Sequence, residues 1–364
     1  MARQGVGFRF VKAAASRSTA SVMISCRPAA MILCPGGEDG YSRVARIMTT
    51  AVSAQTRHRG KHVVLMAVFW LATSGVGLAQ TPAVNAVDNL DATSTPTPSP
   101  APSALERRMT LETQTEANRF VITPHKPNYL LPFTYNSRQS EEFGPLDKTE
   151  VKYQLSFKLP LASDLFGSGG KLAFGYTQLS FWQLYNKRIS SPFRETNYEP
   201  ELMLTFAHEA QLLGFTQRVI MFGLSHQSNG RSVPGSRSWN RLYAVFTAER
   251  DNLYLIFKPW YRLPENAKEN PQDSRGDDNS DIQDYLGHGE LTAMYLFGHR
   301  TLAVMWRSNF QSAHRGALQI DWSVPLQGKL RGYVQYFNGY GESLVDYSQS
   351  SHRFGIGVML TDWL

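Results

Sequence analysis

The sequence predicts an all-β fold, a transmembrane antiparallel β-barrel of about 12 strands, and three observations carry this prediction. Segments of about ten residues with alternating apolar and polar side chains recur after residue 120. No stretch in that part reaches the ~18 consecutive apolar residues expected of a membrane helix. A basic segment followed by a short apolar run, which is typical of an export signal, precedes this region near residue 60.

The alternation is clearest from Val151 to Leu161, where apolar residues interleave with Lys152, Gln154 and Lys158. Similar segments begin near residues 128, 171, 200, 217, 238, 253, 285, 301, 315, 330 and 353. The predicted strand ends carry aromatic residues that would suit girdles at the membrane interfaces, namely Trp182, Trp239, Trp260, Tyr261 and Trp363. Alternation alone also fits a soluble β-sandwich, but the export signal and the even strand spacing favour the barrel.

Residues 48–79 are predicted to be a signal peptide. A basic stretch precedes a short apolar run, and small residues lead to a cleavage site after Ala79. The apolar run is too short to span a bilayer as a helix. Because such a signal normally begins close to its initiator, we expect Met48 to be the physiological start and residues 1–47 to be a mis-assigned upstream extension.

Residues 80–112 are predicted to be a linker, and residues 113–364 are predicted to form the barrel. The linker is rich in Pro, Ser and Thr. Such a composition buries too little apolar surface to offset the entropy of ordering the chain, so we expect this segment to be disordered and extended.

The net charge of +7 does not indicate a nucleic-acid partner once the charges are located. The whole chain has 37 Lys and Arg and 30 Asp and Glu, and residues 1–79 hold 10 of the basic and 2 of the acidic residues. Residues 80–364 therefore carry 27 basic and 28 acidic residues. The basicity therefore belongs to the leader, and no nucleic acid is expected as a partner. Both cysteines, Cys26 and Cys34, also lie in the leader, as suits a mature chain in an oxidising compartment.

Three polar residues stand out on an otherwise apolar face of two predicted strands. His226 and Ser228 are two residues apart, so they share a face with Leu224, which we expect to face lipid. Gly and Pro residues then mark a hairpin loop, and Asn240 returns on the same face as Leu242. Polar side chains against hydrocarbon are costly unless they bond to one another or have a function.

These residue types fit a serine hydrolase. Ser228 would attack an acyl carbonyl, His226 would take its proton, and Asn240 would hold the imidazole in the useful tautomer. A His-X-Ser sequence is a weak signal by itself, since a histidine beside a turn usually bonds locally. The Gly-X-Ser-X-Gly motif is absent, which argues against the α/β-hydrolase fold but not against acyl chemistry.

The stretch from His226 to Tyr243 resembles the active-site segment of outer-membrane phospholipase A, the phospholipase A1 family of Gram-negative bacteria. Four further segments resemble the same family and follow its order: residues 176–178, 190–200, 258–261 and 339–344. The resemblance implies a twelve-stranded barrel in the bacterial outer membrane that hydrolyses acyl esters of phospholipids. It also implies that His226, Ser228 and Asn240 form the catalytic triad.

The resemblance further implies a calcium ion, Ca2+, as cofactor. The backbone oxygen of Arg231 and Ser236 would bind it from one subunit, and Ser190 would contribute from the other. Asp278 matches an acidic calcium-associated position, although a solvated acidic turn is the alternative for its loop. Val233 departs from the acidic residue that the family often has in the hairpin loop.

The family resemblance implies a membrane-embedded homodimer with phospholipid as its substrate. Gln178 matches a polar residue in the membrane-embedded interface of the family, where an amide can bond across the dimer. The alternative function is a non-catalytic pore or adhesion barrel. A barrel of about 12 strands has a narrow interior, which we expect to be filled by polar side chains, and a pore has no use for a Ser–His–Asn cluster.

Overall fold

The computed structural model describes residues 101–116, 118, 121–139, 144–165, 167–273 and 275–362. This part of the chain contains two α-helices, α1 (Ala104–Glu116) and α2 (Ile282–Leu286). Its strands are β1 (Thr123–Pro124), β2 (Asn128–Asn136), β3 (Thr149–Leu165), β4 (Gly170–Trp182), β5 (Phe193–Leu212), β6 (Phe215–Ser228), β7 (Ser238–Arg250), β8 (Leu253–Leu263), β9 (Gly289–Phe297), β10 (Arg300–Ser308), β11 (Gly316–Pro325), β12 (Arg331–Tyr340) and β13 (Ser350–Thr361). Neither of the described helices is long and apolar enough to cross a bilayer.

Strands β2 to β13 form one closed antiparallel barrel of 12 strands. Each strand pairs with the next along the chain, and β13 pairs with β2 to close the sheet. The short strand β1 adds one further pairing to β3. The predicted all-β barrel is therefore confirmed. The prediction was wrong near residue 285, which lies in α2, and the strand predicted near residue 200 begins earlier, at Phe193.

The two ends of the barrel differ in the length of their connections. One end carries the short turns, such as Leu213–Gly214 between β5 and β6. The other end carries the long loops, among them residues 229–237 between β6 and β7 and residues 264–288 between β8 and β9. Outer-membrane barrels place short turns on the periplasmic side and long loops outside. The residues at the C-terminal end of β6 therefore lie on the outer side of the membrane.

The outward face of the barrel is apolar, and the inward face is largely polar and charged. Leu202, Phe222, Leu224 and Leu242 are each more than 40% exposed on the outside. Their neighbours along the strands point inward and are buried. The polar residues of that inward face include Glu150, Lys152, Arg194, Glu199, Glu201, Arg241, Gln335 and Arg353. This arrangement is what a membrane barrel requires, because the lipid solvates one face and the protein itself must satisfy the other.

Charged side chains form an interior ion network of Glu150, Lys152, Arg194, Glu342 and Arg353. Arg194 contacts Glu150 at 3.0 Å, Arg353 contacts Glu342 at 2.8 Å, and Lys152 contacts Glu342 at 2.9 Å. Arg353 also approaches Glu150 at 2.9 Å, an ionic contact without hydrogen-bond geometry. Burial alone would raise the pKa of Glu342, which lies in the loop after β12, but Arg353 and Lys152 outweigh burial and lower the pKa to about 2.

Both mouths of the barrel are covered from within. At the long-loop end, Ile282 and Leu286 of α2 and Leu344 of the β12–β13 loop pack on Trp239 and Trp260. These two tryptophans are buried, so the interpretation of them as interfacial girdle residues was wrong. A cavity of about 1160 Å3 lies inside the barrel, lined by residues of both mouths and of the interior. A lumen covered at both mouths argues against the pore alternative.

Helix α1 covers the short-turn end and corrects one predicted boundary. Residues 104–112 were expected to belong to the disordered linker, but they are helical. Ser103 and Glu106 form a capping box: the Glu106 amide donates to Ser103 Oγ (3.1 Å), and the Ser103 amide donates to the Glu106 carboxylate (2.7 Å). Leu105 then packs on Tyr254 and Met294 inside the barrel. The folded region therefore starts before residue 113.

The predicted upstream extension (1–47), the predicted signal peptide (48–79) and the linker as far as residue 100 lie outside the described residues. The same holds for Trp363. Their assignments stay predictions.

Replacing Glu150 by alanine is expected to destabilise the barrel by roughly 3–5 kcal/mol, because two buried guanidinium groups lose a partner. Urea unfolding of the barrel in lipid, followed by tryptophan fluorescence, measures this loss. The matched control is Arg188→Ala, which removes a 2.6 Å ion pair to Asp147 in which the arginine side chain is 65% exposed. That variant should lose less than about 1 kcal/mol. Equal losses would contradict a structural role for the interior network.

Candidate active site

The register of β6 and β7 brings the predicted triad residues to one place on the outer wall. Leu224 lies opposite Leu242, His226 lies opposite Asn240, and Ser228 lies opposite Ser238. Directly opposed residues of an antiparallel pair share a face of the sheet. Leu224 and Leu242 face lipid. The pairs His226–Asn240 and Ser228–Ser238 follow at steps of two residues, so they also face outward, as the sequence predicts.

The imidazole of His226 and the amide of Asn240 are joined by a hydrogen bond. His226 Nδ1 and Asn240 Oδ1 are 2.9 Å apart. An amide oxygen only accepts, so Nδ1 carries the proton and Nε2 is left with its lone pair. An imidazole in this tautomer can take a proton at Nε2.

Ser228 stands two residues from His226 on the same face of β6. Within the part of the chain that the structure describes, no hydrogen bond joins the Ser228 hydroxyl to the imidazole. Catalytic hydrogen bonds are often long before substrate binds and tighten only in the complex. The strand therefore places the predicted nucleophile and the predicted base side by side without a preformed contact.

A fourth residue, Glu265, contacts the site from the β8–β9 loop. Asn240 Nδ2 donates to Glu265 Oε1 at 3.0 Å. Leu263 at the end of β8 is the cross-strand partner of Asn240, and Glu265 continues the same face two residues later. Sequence reasoning missed this residue. The spacing from the end of β8 could have indicated it, but only once the register of β7 and β8 was known.

Interior contacts hold the two strands behind the site. Ser225 Oγ donates to Glu199 at 3.0 Å, and Arg241 donates to the same carboxylate at 2.5 Å. Trp239 Nε1 donates to Gln227 at 2.8 Å. On β6 and β7, the residues Ser225, Gln227, Trp239 and Arg241 alternate with the predicted triad residues. Their contacts therefore hold the backbone of the two strands from the lumen side. The outward side chains are thereby held on a rigid wall.

The hairpin loop after Ser228 is ordered by Asn229. Its Nδ2 donates to the Gly235 carbonyl at 2.9 Å, and its Oδ1 accepts from the Arg237 amide at 3.0 Å. The Arg231 side chain is anchored to Glu195, 2.9 Å away. The backbone of this loop is therefore fixed on both sides of the predicted calcium ligands.

The structure brings together two of the predicted calcium residues, Ser236 and Asp278. Ser236 Oγ donates to Asp278 Oδ2 at 2.6 Å, and the other oxygen of Asp278 is paired with Lys268. The Asp278 side chain is only 9% exposed. Asp278 is therefore packed against the hairpin loop and does not sit in a solvated turn.

Ser190 lies apart from these residues, in the β4–β5 loop. It is exposed, ends a single 3-10 turn (Lys187–Ile189) and has a left-handed backbone conformation with φ of 61°. In the described residues no contact links it to Ser236 or Asp278. One chain alone does not complete the predicted ligand set.

Comparisons with known proteins agree with this arrangement. The sequence profile of the phospholipase A1 family matches residues 105–360. Phospholipase A1 of Klebsiella pneumoniae is 41% identical over 255 residues, which cover 68% of this chain and 85% of that protein.

Two solved structures are similar over the same region. Outer membrane phospholipase A from Escherichia coli, in a form described as an active-site mutant with an asparagine replaced by alanine, is 40% identical with a TM-score of 0.62. The match covers 68% of this chain and 94% of that one. Outer membrane phospholipase of Salmonella typhi, described as a dimer with bound calcium, is 41% identical with a TM-score of 0.61 over 67% of this chain and 94% of that one.

The closed barrel, the family profile and relatives at about 40% identity over most of their length lead to one assignment. The chain is an outer-membrane β-barrel, and it belongs to the phospholipase A1 family.

Proposed function

We propose that this protein hydrolyses the acyl ester bonds of phospholipids in the outer membrane, with phospholipase A1/A2 and lysophospholipase activity. The observation that carries the proposal is the 2.9 Å hydrogen bond between His226 and Asn240 on the lipid-facing wall, beside Ser228. The Escherichia coli relative, in which an asparagine is an active-site residue, supports this role for Asn240.

Each triad residue has a defined task in the proposed reaction. Ser228 Oγ attacks the acyl carbonyl carbon while His226 Nε2 takes the hydroxyl proton. His226 then returns this proton to the oxygen of the leaving lysophospholipid, and the acyl group stays on Ser228. In the second half, His226 takes a proton from water, the water attacks the acyl-enzyme, and fatty acid leaves as Ser228 regains its proton. Asn240 holds Nδ1–H throughout.

The position of the site determines which substrate can reach it. Leu224 and Leu242 continue the wall below His226 and face hydrocarbon. The triad lies near the long-loop end, at the level of the outer leaflet. An acyl chain can therefore lie along the barrel while its ester bond reaches Ser228. Soluble esters lack this alignment.

Calcium fits the oxygen groups near Ser228. A hydroxyl and a carboxylate already converge at Ser236 and Asp278, and hard oxygen donors of this kind are what calcium prefers. The backbone oxygen of Arg231, together with Ser236 and Asp278, would hold the ion from this chain, and Ser190 would reach it from a second copy. When bound, calcium supplies positive charge near the ester carbonyl and stabilises the oxyanion.

A homodimer would complete the site. Ser190 is exposed on its own loop, and the relative from Salmonella typhi is described as a dimer with bound calcium. Gln178 lies on the outer wall, where its amide makes only long hydrogen bonds, to Ser180 (3.2 Å), Tyr153 (3.4 Å) and Tyr176 (3.5 Å). An amide facing hydrocarbon gains from a partner amide or carbonyl across an interface.

Ser228→Ala is expected to lower fatty-acid release from phospholipid in detergent micelles with calcium by at least about 1000-fold, because the nucleophile is lost. A second exposed Ser–His pair offers the matched control, since Ser137 Oγ lies 2.8 Å from His352 Nδ1. Ser137→Ala should retain the parent rate. Undiminished release by Ser228→Ala, with the barrel folded, would refute the proposed function.

Lys268→Met is expected to lower the calcium concentration needed for half-maximal activity, because the ammonium group competes with the ion for the Asp278 carboxylate. A calcium titration of fatty-acid release measures this shift. Lys329→Gln, an exposed lysine at the opposite end of the barrel, serves as control and should follow the parent curve. An unchanged midpoint in Lys268→Met would remove Asp278 from the ligand set.

Calcium is expected to increase the fraction of dimer in detergent, and Gln178→Leu is expected to reduce that fraction. Chemical crosslinking followed by electrophoresis, with and without calcium, measures both effects. Leu155→Ala, at the cross-strand neighbour of Gln178, shows what the loss of packing alone does. A dimer fraction independent of calcium would contradict the proposal that the ion is shared between two subunits.

A further inference from the structure

The geometry points to Glu265 as a positioning residue of the active site, which acts on His226 through the amide of Asn240. The inference rests on the proposed function, in which His226 is the base. The β8–β9 loop would then have two roles. Glu265, near its start, would position Asn240, and Asp278, further along, is a proposed calcium ligand. The proposed catalytic triad would then be extended to four side chains: Ser228, His226, Asn240 and Glu265.

The contacts form an unbroken line across three elements. His226 on β6 is bonded to Asn240 on β7 at 2.9 Å, and Asn240 is bonded to Glu265 at 3.0 Å. The amide uses its oxygen toward the imidazole and its nitrogen toward the carboxylate. Glu265 is half-buried and sits beyond the end of β8, on the outer side of the wall. No other side chain of the described residues bonds to the Asn240 amide.

Glu265 determines which way the amide of Asn240 faces. A carboxylate only accepts hydrogen bonds, so the NH2 group must face Glu265, and the amide oxygen must face His226. With the amide reversed, an N–H would meet Nδ1 of His226, and the imidazole would have to carry its proton on Nε2. That tautomer cannot take the proton of Ser228. Fixing the amide therefore fixes the reactive form of the base.

Glu265 also supplies the negative charge that an asparagine lacks. When His226 takes the proton of Ser228, the imidazolium is stabilised by an amide oxygen alone, which does less than a carboxylate would. A carboxylate bonded to the NH2 group polarises the amide and makes its oxygen a stronger acceptor. The carboxylate comes from the loop just beyond β8, near the end of the wall, where a charge costs less than at the bilayer centre.

The test compares Glu265→Ala with Glu265→Gln in the full-length protein, with calcium, in detergent micelles of phospholipid. Reactive sites are titrated with a lipid sulfonyl fluoride, so that kcat refers to active enzyme. We expect Glu265→Ala to lower kcat about tenfold, with KM changed less than about twofold. Glu265→Gln keeps an acceptor for the Asn240 amide but lacks the negative charge, so it should recover only part of that loss. Glu269→Gln, an exposed glutamate in the same loop, should equal the parent.

A double-mutant cycle separates this role from a general effect on the loop. If Glu265 acts through Asn240, then Asn240→Ala combined with Glu265→Ala should have the same kcat as Asn240→Ala alone. Multiplicative losses, or a parent kcat in Glu265→Ala, would overturn the inference. If Ser228→Ala is inactive while Glu265→Ala equals the parent, only the role of Glu265 fails. An active Ser228→Ala would refute the proposed function and this inference with it.

Discussion

Hydrocarbon offers no hydrogen bonds, and this constraint governs the whole molecule. Every backbone N–H and C=O at membrane depth must bond to another strand, so the sheet closes on itself through β2 and β13. A strand that slipped by one residue would turn its apolar face inward and its charges toward lipid. The pairing of His226 with Asn240 follows from the same register. The membrane environment therefore fixes the geometry of the proposed catalytic residues as well as the fold.

The two faces of the wall have separate tasks. Inside, ion pairs such as Arg194 with Glu150 satisfy buried charges, and α1 and α2 cover the two mouths. In the interior ion network, Arg194, Glu150 and Arg353 are buried together and balance one another's charges. Outside, the same strands carry only a few polar side chains among leucines and phenylalanines. The proposed reaction on a lipid would therefore take place on strands whose inward side chains are held by interior hydrogen bonds and ion pairs.

Electrostatics favour an amide in the proposed triad and a carboxylate next to that amide. A charged residue on the lipid-facing wall costs more the deeper it lies, whereas an amide is neutral. Asn240 is tolerated there and still orients His226. Glu265 brings a charge from the loop to Asn240, and Asp278 of the same loop contacts Ser236 of the hairpin and pairs with Lys268. Both carboxylates come from the β8–β9 loop, so this loop would link the proposed calcium site to the proposed catalytic residues.

The sequence by itself determined the class of fold, the outward direction of His226, Ser228 and Asn240, and the family. Alternation of apolar and polar residues is a local property with a period of two, and it can be read without knowing any partner strand. Only the tertiary structure decided that Trp239 and Trp260 face the lumen, that residues 104–112 belong to a helix in the barrel mouth, and that Glu265 meets Asn240. These facts depend on register and on loops packed against distant strands, and such contacts between residues far apart in the chain leave no periodic trace in it.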